Sequence, residues 1–169
     1  NGRNIYKNIK KAISYIIAIH IPIALLSLFV PMFKLPTLLL PIHVMLLELL
    51  IDPTSSIIFQ RIKPSKDIMK EQPRNIKESI INLKSVLSSI SKGFLIFIVV
   101  FITYFLVSKT KDTSLAITIA YSTLVLSIML ITYQLKGDEL TLKAFVKSFK
   151  DKVSLLVNLG VILGLIILV

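Results

Sequence analysis

The sequence has no cysteine and no tryptophan among its 169 residues. Without cysteine, the chain can form neither a disulfide nor a thiolate metal site. Acidic residues are also scarce, because only nine Asp and Glu accompany twenty Lys and Arg. Hydrophobic residues are abundant instead, at 54% of the chain. This fraction, collected into long uncharged runs, is higher than that of ordinary soluble domains.

The apolar runs approach the length of about 20 residues that an α-helix needs to cross a bilayer. Their number and spacing predict an all-α fold, a polytopic transmembrane helix bundle with about five spans. Tyrosine and phenylalanine are left to supply any aromatic belt at the membrane surface. The predicted spans cover residues 12–30, 37–59, 93–107, 115–135 and 153–169.

The net charge of +11 comes from basic residues between the spans, so we expect a lipid bilayer as partner and no nucleic acid. Alternate loops hold 17 and 3 of the Lys and Arg residues. Loops rich in Lys and Arg stay in the cytoplasm. The distribution therefore predicts an integral membrane protein whose N-terminus is cytoplasmic.

The chain divides into alternating membrane and cytoplasmic segments. The first residue is not methionine and the last apolar run is still continuing at Val169, so we expect a fragment of a longer chain. The predicted segments are a basic stalk continuous with the first span (1–11), a transmembrane hairpin turning at 31–36 (12–59), a cytoplasmic loop with an amphipathic helix (60–92), a second transmembrane hairpin (93–135), a basic cytoplasmic loop (136–152) and a truncated last span (153–169).

Two carboxylates, Glu48 and Asp52, lie four residues apart inside the second apolar run. Residues at i and i+4 share one face of a helix, and ionisable side chains at membrane depth usually face a partner, an ion or water. Pro53 follows directly, and a proline loosens the helix and frees carbonyl oxygens. His20 lies at a similar predicted depth in the first span. These features predict a cation site formed by His20, Glu48 and Asp52.

Oxygen ligands suit calcium, magnesium or manganese as the bound divalent cation. His20 would favour manganese or a softer metal if it is a ligand. The sequence leaves three roles open for His20: ligand, hydrogen-bond partner of Glu48, or packing residue. We interpret His43 as an interfacial histidine. The hydroxyls within 115–135 are expected to bond their own helix or a neighbouring one.

With these residues in view, the chain resembles the C-terminal membrane half of P-type cation-transporting ATPases, close to bacterial relatives of calcium pumps. Four segments carry the resemblance, in the right order and spacing. They are the basic link 2–11, the acidic stretch 47–54, the loop 64–74 that ends in Pro73-Arg74, and the apolar helix 115–130.

The resemblance implies that the five spans are the fifth to ninth membrane helices of a pump. Asp52 then takes the position of the shared central aspartate, Glu48 and His20 take asparagine positions, and Ile23 replaces a glutamate ligand. The actuator, nucleotide and phosphorylation domains and the first four helices would be partners within the same parent chain. Mg-ATP would bind only there, so this chain alone would not hydrolyse ATP. A bacterial plasma membrane is the expected location. The alternative is a stand-alone, non-enzymatic membrane module or a degenerate pump remnant.

Overall fold

All regular secondary structure in the described part of the chain is α-helical, which confirms the all-α class. The structure, a computed structural model, describes residues 2–49, 82–109, 112–136, 159, 160 and 163. Its helices are α1 (Gly2–Met32), α2 (41–49), α3 (Leu83–Ser108) and α4 (Thr113–Lys136).

Three helices are long and apolar enough to cross a membrane: Ile5–Met32, Leu83–Ser108 and Thr113–Leu135. This number, found among the described residues, is lower than the predicted five spans. Part of the second predicted span and nearly all of the fifth lie outside those residues. So do residues 60–81 of the predicted loop 60–92 and residues 137–152 of the predicted loop 136–152. The chain is therefore an integral membrane helix bundle, with three spans described.

Helices α1 and α3 run parallel and pack along most of their length. Their contacts keep the same order in both helices, from the Ser14–Ser85 hydroxyl pair at 3.1 Å to the edge-on Phe33–Phe101 ring pair at 5.4 Å. Helix α4 returns against α3. The bundle core lies between them and includes the fully buried side chains of Tyr15, Leu26, Val100, Tyr104, Leu124 and Ile128.

Helices α1 and α3 approach each other closely at Gly93, which is buried. A Cβ atom there would lie 2.8 Å from the carbonyl oxygen of Ala18 and 2.9 Å from the Cβ of Ile21. Pro22 has no N–H, so the Ala18 carbonyl lacks its usual helical donor. Gly93 therefore lies against the backbone carbonyl that the proline exposes, where no larger residue fits.

The turn after α1 is longer than predicted. Helix α1 runs two residues beyond Val30 and ends in a Schellman motif, in which Lys34 N–H donates to the Pro31 carbonyl (2.9 Å) and Leu35 N–H to the Val30 carbonyl (3.2 Å). Lys34 takes the left-handed conformation, with φ 56°. Because Pro41 disfavours a helical conformation at the residue before it, α2 begins only at residue 41 instead of the predicted 37.

Side-chain caps fix where α3 and α4 begin. Asn82 accepts a hydrogen bond from Lys84 N–H (3.3 Å), and Asp112 accepts one from Leu115 N–H (3.0 Å). Helix α3 thus starts ten residues before Gly93, and residues 83–92 belong to the same helix as the apolar segment that follows. At the same end of the bundle as the start of α3, α1 continues without a break from its basic N-terminal part into its apolar part.

Candidate cation-binding site

His20 lies in the middle of α1 and is exposed in the described part of the chain. Its Nδ1 is 2.9 Å from the carbonyl oxygen of Ile16. A carbonyl oxygen can only accept, so Nδ1 carries the proton, and Nε2 of the neutral ring keeps its lone pair. Metal-ligating histidines almost always donate their other ring N–H in this way. The geometry suits both roles that use Nε2, metal ligand and hydrogen-bond partner of a carboxylate.

Glu48 lies near the end of the described part of α2 and is exposed there. The preceding residue, Leu47, is only 2% exposed and packs in the core. Successive residues of a helix point about 100° apart, so burial of Leu47 turns Glu48 away from that part of the core. Glu48 lies seven residues after the start of α2, which is about 10 Å along the helix axis. The sequence predicted about ten residues between Glu48 and the start of its span.

Asp52, Pro53 and Ile51 lie outside the described residues. Within the described residues, no group of three His, Asp or Glu side chains could hold a metal ion. The structure therefore describes two of the three predicted ligands, each on its own helix. Their convergence with Asp52 and the opening of the helix at Pro53 stay predictions.

The start of α2 is attached to α4 through His43, a contact that sequence reasoning missed. The His43 and Tyr121 rings lie 5.2 Å apart, tilted by 44°. The Tyr121 hydroxyl also donates to the His43 carbonyl (3.3 Å). Leu40 N–H donates to Nδ1 of His43 (3.2 Å). The sequence did hold a signal for the bond between His43 and Leu40. Pro41 is favoured at the first helical position, which places His43 at the third, where capping side chains reach back to the N-cap.

A second tie holds the turn between α1 and α2 against α3. The hydroxyl of Tyr104, a fully buried residue, donates to the Pro36 carbonyl at 2.6 Å. No local pattern in the sequence indicates this contact, since the two residues are 68 positions apart. Together with the Tyr121 contact, it fixes both the turn and the first residues of the helix that carries Glu48.

Three of the hydroxyl groups within α4 bond their own helix, one of the two arrangements that the sequence predicts. Thr123, Ser127 and Thr132 each donate to the carbonyl four residues earlier, at 2.7 to 2.8 Å. Since these hydroxyl protons serve the backbone of α4, the three side chains are satisfied without an ion or a neighbouring helix.

Comparison with known proteins shows the family. Residues 36–169 match the family described as cation transporting ATPase, C-terminus. The chain belongs to this family. The match covers α2, α3 and α4, with Glu48 and Asp52. It begins after α1, although α1 is packed along α3.

Relatives of this chain include calcium-transporting ATPases from two bacteria. The Bacillus subtilis protein is 32% identical over 139 residues, and the Listeria monocytogenes protein is 27% identical over 137 residues. Each alignment covers 81% of this chain and 16% of the relative. A probable calcium-transporting ATPase of Trypanosoma brucei is 35% identical over 83 residues, which cover 48% of this chain and 8% of that protein. The resemblance to the C-terminal domain of P-type cation ATPases is thereby confirmed.

Proposed function

We propose that this chain forms part of the transmembrane cation pathway of an ATP-driven, P-type pump, with calcium as the transported ion. The family match carries the proposal, because it includes the segment in which Glu48 and Asp52 lie four residues apart. Two relatives that cover most of this chain are calcium-transporting ATPases by name. Energy would come from Mg-ATP bound elsewhere in the parent protein, in its nucleotide and phosphorylation domains.

Glu48 and Asp52 supply the hard oxygen ligands that calcium prefers. Each would contribute a full negative charge in a low-dielectric environment, where the attraction for a divalent cation is strong. Carbonyl oxygens opened by Pro53 would add neutral ligands. An acidic pair supplies about two to four of the roughly six to eight oxygen ligands of calcium, so the remaining ligands would come from neighbouring helices.

Manganese is the second candidate because of His20. The bond from Nδ1 to the Ile16 carbonyl leaves Nε2 as an acceptor, and imidazole nitrogen is a better ligand for transition metals than for calcium. Magnesium fits less well, because it retains water and demands octahedral geometry. His20 therefore decides between the cations if its Nε2 joins the site.

The parent protein would supply the actuator, nucleotide and phosphorylation domains and four further membrane helices. The basic distribution supports a cytoplasmic N-terminus, and the bacterial relatives support a plasma membrane location. The unbroken α1 helix would act as a stalk, since a continuous helix transmits movement from a cytoplasmic domain to the level of His20.

Cation-activated ATPase assays on the full-length protein in proteoliposomes test the proposal. Asp52→Asn and Glu48→Gln remove one ligand charge each without a large change in volume. We expect each to raise the calcium concentration for half-maximal activation by at least about tenfold, since even outer-shell substitutions at metal sites cost about 10- to 100-fold in affinity. Glu139→Gln, in the predicted basic loop, is the matched control and should leave activation unchanged.

The same assay with manganese tests the role of His20. His20→Gln should weaken activation by manganese more than activation by calcium, because it removes a nitrogen ligand. Equal effects on both cations would assign His20 to a role outside the coordination sphere. Normal calcium and manganese activation in both Asp52→Asn and Glu48→Gln would show that the proposed site is wrong.

A further inference from the structure

The first turn of α2 is capped by a histidine. Pro41 is the first helical residue and Leu40 the N-cap, whose carbonyl accepts from His43 N–H (2.9 Å) and Val44 N–H (3.2 Å). At the third helical position, Nδ1 of His43 accepts from Leu40 N–H at 3.2 Å. This is one half of a capping box, the bond from the third helical position back to the N-cap N–H, with an imidazole nitrogen in place of the usual Glu or Gln side chain. The Leu40 side chain has no acceptor for the other half.

This cap requires a neutral imidazole. An N–H group can donate to Nδ1 only if that nitrogen carries a lone pair, so the proton of the neutral ring is on Nε2. Protonation makes both ring nitrogens donors, and Nδ1–H would then face Leu40 N–H. His20 behaves oppositely, because its Nδ1 donates to a carbonyl and keeps that bond in both charge states. Only the His43 bond is lost on protonation.

The surroundings of His43 do not offset a positive charge. The titratable group that packs against the ring is the Tyr121 phenol of α4, and its hydroxyl proton already serves the His43 carbonyl. In the described part of the chain, the imidazole forms no ion pair with Glu48 of α2 or with Asp112, which caps α4. Lys34 of the preceding turn and Lys109 at the end of α3 are cations themselves, so neither can neutralise a charged imidazole. The Lys109 Nζ lies 4.6 Å from the centroid of the Phe105 ring.

A cation is also unfavourable at this position of the helix. The N-terminus of a helix carries the positive end of the backbone dipole, which attracts anions and repels cations. A protonated His43 would lose its acceptor function and face this dipole in the same turn. Both effects act in the same direction, toward loosening the first turn of α2.

We propose that His43 is a proton-sensitive positioning residue for the helix that carries Glu48. While its ring is neutral, it caps α2 and holds the start of the helix against Tyr121. Protonation of the ring, on acidification at this end of the bundle, uncaps the helix. The cap itself is independent of what the protein transports. The further consequence, weaker cation binding at Glu48 in acid, rests on the proposed function.

Hydrogen exchange of the full-length protein in lipid nanodiscs tests the cap. The segment around Leu40 is followed between about pH 5 and about pH 8, and each rate is divided by the intrinsic rate at that pH. We expect exchange of the wild type at this segment to rise about fivefold on acidification, the size of effect that one helix cap supplies. His43→Gln retains an acceptor that does not titrate, so its exchange should stay low throughout. His43→Ala has no acceptor, and its exchange should be high throughout.

The two variants thus define the capped and the uncapped limits of exchange between which the wild type moves with pH. His20→Gln is the control, because it removes the other histidine. If the wild type and His43→Gln share one pH profile, the proton-sensitive cap is refuted. If His43→Ala exchanges as slowly as His43→Gln, the side chain does not cap the helix, and the inference is equally overturned.

The link to the cation site is measured separately, as the pH dependence of calcium activation of the ATPase. The wild type should lose about fivefold more apparent affinity on acidification than His43→Gln does. Equal losses would refute this link and leave the cap in place. A protein without any cation-activated ATPase would refute the proposed function, while the exchange experiment would still decide the cap.

Discussion

Replacing Gly93 by alanine should destabilise the bundle, although alanine is the better helix former. The added methyl group would lie 2.8 Å from the Ala18 carbonyl oxygen and 2.9 Å from the Ile21 Cβ. Both are backbone or backbone-attached atoms of α1, so no side-chain rotation can relieve the contact. The two helices must therefore move apart around Gly93.

Two opposing effects set the magnitude. Alanine improves helix propensity by about 1 kcal/mol over glycine. Overpacking of a well-packed interior costs about 1–3 kcal/mol, and the rigid neighbours favour the upper part of this range. Separation of α1 and α3 would also weaken the Phe29–Phe97 and Phe33–Phe101 contacts further along the same helices. We expect a net loss of about 1–2 kcal/mol from the free energy of unfolding.

Thermal denaturation of the full-length protein in detergent measures the sign. The Gly93→Ala variant should have a lower midpoint than the wild type. Gly160→Ala is the matched control, because no described atom lies within 4 Å of a Cβ built there, and its midpoint should be unchanged or slightly higher. A higher midpoint for Gly93→Ala would mean that helix propensity dominates and that α1 and α3 do not approach as closely as the structure shows.

Two further substitutions test the ends of the helices by the same measurement. Tyr104→Phe removes the donor to the Pro36 carbonyl and should cost about 0.5–1.5 kcal/mol, as expected for a hydrogen bond whose acceptor residue is exposed. A cost no larger than that of Tyr121→Phe, whose bond is longer at 3.3 Å, would contradict this. Lys34→Gly should raise the free energy of unfolding by up to about 1–2 kcal/mol, because glycine adopts the left-handed conformation of Lys34 without the steric cost. A lower denaturation midpoint than that of the wild type would show that the lysine side chain is itself needed.

Much of the candidate site follows from the sequence, because ionisable groups in apolar runs are costly and therefore conspicuous. Glu48, Asp52 and His20 are identifiable for this reason alone. Their relation in space is not, since it depends on where each helix begins and how the helices pack. The turn before Pro41 is longer than predicted, so α2 starts four residues later and Glu48 lies closer to the start of its helix than the prediction had it. The hydrogen-bond partner of His20 was likewise not predicted, although it lies only four residues away.

The sequence by itself determined the all-α class, the apolar spans, the acidic pair and the family, because each depends on composition or on residues close together in the chain. The tertiary structure decided the contact of Gly93 with Ala18, the bond from Tyr104 to Pro36 and the packing of His43 on Tyr121. Each joins residues separated by 68 or more positions. A glycine, a tyrosine or a histidine in an apolar helix is compatible with many partners, and only the packing of the helices selects one.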